Sequence, residues 1–455
     1  RALLLASGVT IRQLQLSQAS LNDQPRLYQM RQWDAEAPIV KMAPAPTGQR
    51  VLLATKAPGW VLWHSTTNRA LASGALDEDA DKIGWRSSQE FYISGAGDGR
   101  QYWRQQETRG ATTLNSLFLP VLYEGYAEPQ HVWQSTAHAS GYEAKYGLMP
   151  LLVGTFKAAV YAMLVAIPLA LGAAIFVGFF MPPMMRDRIK PAIELLEAFP
   201  TVVLGALTAV WLAPRLFDLL AAALGALVLI PLGVAVTAML WRRYYPASRT
   251  RSTLASLPIF LVPMLIGFGS LGVWVGSTLE SFLPTGALVP WLEASFGIHS
   301  TQRNAILVGV AMGLAILPGI FSMAEDAIHG VPRNTAAGSL ALGATHWQSY
   351  RDVILPVALP GMISAVTLGF GRAMGETMIV LMVAGNTPIM DWNILEGMRT
   401  ISASLAIELP ESAFESVHYR VLFLAAMLLF CLTFVFNTLA ELLRMRMHRR
   451  YGGQL

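Results

Sequence analysis

The chain is short of the residues that most chemistry needs. It has one cysteine in 455 residues, Cys431, which excludes an internal disulfide and a cysteine-based metal site. Only 14% of its residues are charged, against about 25% in an ordinary soluble domain. No G-x-x-x-x-G-K-[ST] loop occurs, so any ATP would have to be hydrolysed elsewhere. H-E-x-x-H and G-x-S-x-G are also absent, which leaves no signature for catalysis. His64, His131 and His138 share no metal-ligand spacing, and they read as ordinary surface or turn residues. The acidic run Asp77-Glu78-Asp79 with Asp81 lacks the glycine-turned loop of a calcium site and reads as solvated. Neither a cofactor nor a metal is expected. A net charge of +4 without an aromatic-interleaved basic stripe gives no reason to expect nucleic acid. No secretory signal is visible. The chain begins at Arg1, and the expectation is that a further helix would precede it.

What is abundant is apolar surface, 54% of all residues. It gathers after Gly147 in runs near 152–180, 192–212, 219–240, 253–277, 303–324, 361–384 and 421–443. A bilayer crossing takes about 20 such residues, so the chain is expected to be a polytopic α-helical membrane protein. Lipid is then its first partner. Arg186, Arg188 and Lys190 follow the first run, Arg242, Arg243, Arg249 and Arg251 the third, and Arg444, Arg446, Arg449 and Arg450 the last. Basic loops that alternate this way predict a cytoplasmic C-terminus, a cytoplasmic segment 325–360 and an external N-terminal region. The expected division is 1–118, an extracytoplasmic β-rich domain; 119–150, an aromatic interfacial elbow; and 151–455, the membrane domain.

The first of these regions has strand-and-turn texture and an internal repeat. VLLATKAPGWVLWHSTTNRAL from Val51 lies over FYISGAGDGRQYWRQQETRGA from Phe91, matching Gly59 with Gly99, Trp63 with Trp103 and Arg69 with Arg109. Each copy reads as strand, tight turn, strand, with its tryptophan on the buried face. The period of about forty resembles blades of a β-propeller of the WD-repeat kind.

Two features carry function. In the first, Pro332 and Asn334 or Thr335 open a helix, and Gly343 permits a sharp turn into a second. There Trp347, Tyr350 and Ile354 recur at helical spacing on one face. That face either docks in a partner's groove or rests on the protein's own helices. In the second, Arg372 and Glu376 stand inside an apolar run, where a charge costs about 2.5–3.5 kcal/mol on insertion scales. At i, i+4 they would share a helix face and pair. Arg372 offers a planar donor fork suited to an oxyanion, Glu376 would hold it or compete with the anion, and Thr377 adds a hydroxyl. Glu194 and Glu197 read as ordinary helix-start carboxylates.

The stretch from Asn334 resembles the EAA loop of ABC importer permeases, E-A-A, three residues, Gly, nine residues, I-x-L-P. Here the glycine is Gly343 and the final tetrad is Val353-Ile354-Leu355-Pro356. The triad is Ala337-Gly338-Ser339, so the glutamate is missing. GRAMGETMIV, AGNTPIMDW, IELLEAFPTVVLGAL and GTFKAAVYAMLVAIPLALGAAIF are similar, in the same order, to the PstC-type permeases of phosphate ABC importers. The likeness covers most of the chain after Leu119. Two departures are the helices near 219–240 and 253–277, which read as an inserted hairpin, and the large front domain.

The resemblance implies a type I importer permease fold. It implies a coupling loop including Ala337, Gly338, Ser339, Leu342, Gly343, Ala344, Trp347 and Tyr350 that inserts into a dimeric ATPase subunit. It implies a pathway through Arg372, Glu376 and Thr377. A second permease chain and a periplasmic phosphate-binding protein would complete the complex in a bacterial inner membrane. The alternatives are a permease for sulfate or molybdate, and a membrane sensor with a ligand-binding propeller.

Overall fold

In the computed structural model, among the described residues, every strand lies before Gly147 and every long helix after it. The structure describes residues 2–17, 26–46, 50–56, 59–76, 80–87, 90–94, 100–104, 112–123, 126, 128–135, 144–244 and 253–451. The acidic run Asp77–Asp79, His138 and the repeat positions Gly99 and Arg109 lie outside them. Two compact units emerge, one of Arg1–Thr155 with Thr400–Cys431 and one of Phe156–Arg399 with Leu432–Leu455.

The first unit opens with three antiparallel meanders in chain order. They are β1 (Ala2–Ser7), β2 (Thr10–Ser17) and β3 (Arg26–Asp34); β4 (Ile39–Pro44), β5 (Arg50–Thr55), β6 (Gly59–His64) and β7 (Arg69–Ala75); and β8 (Lys82–Trp85), β9 (Glu90–Ser94) and β10 (Arg100–Arg104). β5 is apolar at four successive positions because its sheet is covered on both faces. Leu52 and Leu62 pack with Phe91 and Ile93 on one side, and Val51 and Leu53 with Ile11 and Trp33 on the other. The forty-residue repeat is structural, since Val51 pairs with Trp63 and Phe91 with Trp103 at equivalent places in two hairpins. The buried tryptophan differs from the expected one. Trp60 is 4% exposed and sits 5.2 Å from the Phe91 ring, whereas Trp103 is 37% exposed. Alternation explains this: Trp60, Leu62 and His64 face one way along β6 and Trp63 the other. His64, expected at the surface or in a turn, is the buried last residue of β6, and its Nδ1 lies 3.1 Å from Thr67 Oγ1 of the turn that follows. No ring closure is formed by these sheets among the described residues.

A capped turn of helix, α1 (Leu114–Phe118), and the short strands β11 (Trp133–Gln134) and β12 (Lys145–Tyr146) lead to α2 (Met149–Ile175). Trp133, Leu148 and Leu151 share a core with Ile401 and Leu422. Trp133 Nε1 donates to Glu408 Oε1 at 2.9 Å, and His418 Nε2 lies 2.7 Å from Glu408 Oε2. The nearly buried carboxylate therefore has a partner on each oxygen, as burial demands.

The second unit is helical. α3 (Pro183–Leu195) and α4 (Thr201–Leu207) are followed by α5 (Leu216–Tyr244), α6 (Thr253–Ser281), α7 (Leu288–Phe296) and α8 (Ala305–His329). Then come α9 (Arg333–Ala341), α10 (His346–Ser349), α11 (Leu355–Gly375) and α12 (Met378–Val383); α13 (Ile401–Glu408) belongs to the first unit, and α14 (Val417–Tyr451) passes in sequence from the first unit to the second. Six helical stretches among the described residues are long and apolar enough to cross a membrane. The runs 192–212 and 219–240, read as separate, fall into one such stretch, because the turn between them at Thr208–Arg215 is itself helical, π then 3-10.

α5 and α6 form the expected hairpin, antiparallel and in backbone contact. A Cβ at Gly276 would run into the Ala221 carbonyl, while one at Gly267 would meet nothing within 4 Å. Gly276→Leu should therefore wedge the hairpin apart at a cost of about 1–3 kcal/mol. Thermal unfolding in detergent should show a lower midpoint for Gly276→Leu and an unchanged or higher one for Gly267→Ala. Equal midpoints for Gly276→Leu and the parent would mean that the contact is not close.

Candidate translocation site and coupling turn

Arg372 stands in the last turn of α11, but its helix ends three residues later. Glu376 is extended, with ψ 129°, so Arg372 and Glu376 do not lie on successive turns of one helix as their spacing predicts. The Thr377 hydroxyl turns back to the Gly375 carbonyl at 3.2 Å. The carboxylate bonded to the Arg372 guanidinium is Glu197, from the 3-10 turn Leu196–Ala198 after α3. Both side chains are 42% exposed, so this pair lies open at a surface. It rests against Gly319 of α8, where a Cβ would come within 3.3 Å of Glu197 and 3.4 Å of Arg372.

Glu197 is the fourth member of a stripe that runs along α3 and onto the 3-10 turn after it. Glu194 accepts from the Ser322 hydroxyl at 2.7 Å. Lys190 binds Asp326 and lies 2.9 Å from Glu325 Oε2. Arg186 donates to Glu325 in a fork, Nε at 2.6 Å and Nη2 at 3.1 Å. Glu325 is 0% exposed. The bond to Glu325 first, and its negative neighbours with it, hold Arg186 above its usual pKa in spite of burial. Burial works against Lys190, but bonds to Asp326 and Glu325 outweigh it and raise that pKa too. None of these pairings was anticipated. The signal was available, for residues 186, 190, 194 and 197 recur at the three-to-four-residue spacing of one helix face.

Beyond α8 the chain makes the predicted pair of short helices. Gly343, between α9 and α10, has φ +92°, a conformation that L side chains rarely adopt. Thr345 and Gln348 close a capping box on α10. Ala337, Gly338 and Gly343 are exposed, Ser339 and Ala344 half-buried, and Leu342 is 91% exposed at the apex. A depression of about 700 Å³ runs beside them, lined by Asn334, Gly338, Leu342, Gly343, Gln348 and Val353 among others. Trp347 is exposed, but Tyr350 and Ile354 are buried. The Tyr350 ring lies 5.7 Å from Phe179 and 5.9 Å from Phe180. Trp347 stays beside Tyr350, with ring centroids 5.7 Å apart, so the face runs from an exposed edge at Trp347 into the protein's own helices at Tyr350 and Ile354.

A second polar cluster lies between α12 and α13. Lys157 of α2, 1% exposed, donates to the Asn393 carbonyl at 2.8 Å, and Tyr161 donates to the Trp392 carbonyl at 2.6 Å. Asp391 and Glu396 share a side-chain hydrogen bond. That bond, with the amide of Asn393, holds Asp391 below the usual aspartate range. Burial and then Asp391 push Glu396 above the glutamate range. The raised group gives stability that is complete below its ordinary pKa and lost as pH rises through the raised value. The lowered group gives stability present above its ordinary pKa and lost as pH falls through the depressed one. The loop should therefore be tightest in the mildly acid window between them. Amide exchange across 391–396, corrected for its intrinsic rate, should quicken above that window. Glu396→Gln, which keeps a donor, should remove the quickening; its persistence would show that another group titrates.

Apolar helices of spanning length, a half-exposed arginine among them and a solvent-facing glycine turn at one end define a multi-pass membrane permease. The chain belongs to the family of binding-protein-dependent transport system inner membrane components, which matches residues 166–449, more than half of its length. It is 27% identical over 304 residues to the probable ABC transporter permease protein YqgH of Bacillus subtilis, covering 67% of this chain and 74% of that one. Phosphate transport system permease protein PstC 1 of Mycobacterium bovis is 26% identical over 344 residues, 74% of this chain and 83% of its own. PstC of Xylella fastidiosa is 28% identical over 311 residues, 68% and 78%. The chain is the permease subunit of an ABC transporter and is PstC-like in sequence.

Proposed function

We propose that this chain carries phosphate across the bacterial inner membrane as one of two permease subunits of an ATP-driven importer. The observation that carries the reading is Arg372. Its guanidinium ends an apolar helix, lies half-exposed and is held by a carboxylate at the surface rather than in the core. Such a pair can exchange its partner for an anion at little desolvation cost, and guanidinium matches phosphate oxygens with two parallel donors. The relatives named for phosphate transport favour this anion over sulfate or molybdate. Glu376 and Thr377 would line the same pathway beyond the break in α11.

The Gly343 turn, with Leu342 and Trp347 as its exposed apolar side chains, is the ATPase contact in this reading. Region 325–360 then faces the cytoplasm, the C-terminus lies there too, and the domain 1–118 stands outside. Its successive antiparallel meanders of three, four and three strands are compatible with propeller blades. A periplasmic binding protein would deliver phosphate, and the switch between access states would follow ATPase closure.

Affinity purification of the full-length protein from its own membranes tests this. An ATP-binding subunit and a second permease should co-elute, and the complex in proteoliposomes should import phosphate in preference to sulfate and molybdate. Absence of both partners would turn the assignment toward a sensor.

A further inference from the structure

The stripe on α3 has two unlike ends. At one end Arg186 and Lys190 clamp Glu325, a carboxylate without solvent exposure. Opening that clamp would strand a buried charge, among the costliest changes a fold can undergo. At the other end Glu197 holds Arg372 through a pair that is 42% exposed on both sides. A surface ion pair of this kind is weak and easily exchanged. Glu194, bonded to Ser322, keeps the C-terminal end of α3 against α8. The residues from Arg186 to Glu197 span roughly 16 Å at the helical rise. Glu325 and Asp326 lie in the last turn of α8, and only Gly330–Pro332 separate that helix from α9 and the Gly343 turn.

We infer that α3 is the lever that joins the ATPase-facing turn to the anion site, with Lys190 and Arg186 as positioning residues and Glu197 as the exchangeable counter-ion of Arg372. The inference rests on the transport reading above. The clamp makes α3 and the base of α8 move as one body. Force at the Gly343 turn passes into α8, through Glu325 into α3, and so to Glu197. Withdrawing Glu197 frees the Arg372 fork for phosphate; returning it expels the anion. Only the weak end has to open, and the buried end stays shut throughout the cycle.

The test uses the complete transporter purified with its ATPase, second permease and binding protein, in proteoliposomes. Radiolabelled phosphate import and ATP hydrolysis are measured together. Lys190→Gln should leave most of the hydrolysis but lower phosphate imported per ATP by about tenfold, as expected when a charge-assisted bond is lost from a coupling path. Lys190→Arg should restore the ratio. If Lys190→Gln does not assemble, Asp326→Asn removes the exposed charge paired with Lys190, leaves Glu325 on Arg186, and should lower the ratio in the same direction. A ratio within about twofold of the parent overturns the inference, including the case in which import and hydrolysis fall together, because a purely structural role moves both equally. Arg372→Ala is measured alongside. Full import by that variant would sink the pathway reading itself, whereas loss of import in Arg372→Ala with a parental ratio in Lys190→Gln would sink only the lever.

Discussion

Arg372→Ala is expected to abolish phosphate import while the complex still assembles. The side chain is the only cation in the last turn of α11, and it presents two parallel donors. Each hydrogen bond to a charged group contributes about 1.5–3 kcal/mol, so losing a bidentate contact should cost at least about a hundredfold in transport. Assembly should survive because Glu197, left without the arginine, is already 42% exposed and can be hydrated. Arg372→Lys should recover little, since an ammonium is a point charge and cannot reproduce the fork. The measurement is initial-rate uptake normalised to the amount of co-purified complex. Parental uptake by the alanine variant would remove Arg372 from the pathway.

Gly343→Val should separate the permease from its ATPase. At φ +92° a β-branched residue is strained by an amount on the order of 1–3 kcal/mol, and the turn must reshape to relieve it. Nothing lies within 4 Å of the Cβ position, so the effect comes from the backbone and not from crowding. The reshaped segment carries Leu342, exposed at its apex. ATPase recovered with the purified permease should fall by about tenfold, with Gly343→Ala between the two. The permease's own thermal unfolding should change little, because the turn is exposed. Unchanged recovery would argue that docking occurs elsewhere.

The two sites differed in how far they were legible beforehand. The turn could be read from a glycine between two capped segments, since a left-handed backbone position leaves a mark in one residue type. The Arg372 site could be read only as an arginine in an apolar run. The spacing to Glu376 gave a partner that would be right for an unbroken helix, and the break at Gly375 removed it. For Tyr350 and Ile354 the spacing left open a partner's groove or the protein's own helices, and packing buries both. Burial is a property of what packs on a residue, which hydrophobic spacing alone does not carry.

By itself the sequence determined that the chain is a polytopic helical membrane protein with a β-rich front; the permease class came only from its resemblance to importer permeases. Apolar runs of bilayer length, basic loops and strand-and-turn texture are local properties, and each can be counted without knowing what packs on what. It also determined the glycine turn and the forty-residue repeat. The tertiary structure alone decided which carboxylate holds Arg372. Glu197 lies 175 residues away in the chain, and ion pairs at such separation depend on how α3, α8 and α11 are packed. It likewise decided that Arg186 and Lys190, read as a free basic loop, clamp a buried glutamate. Charge shows in the sequence; whether that charge meets water or an opposite charge is settled by packing.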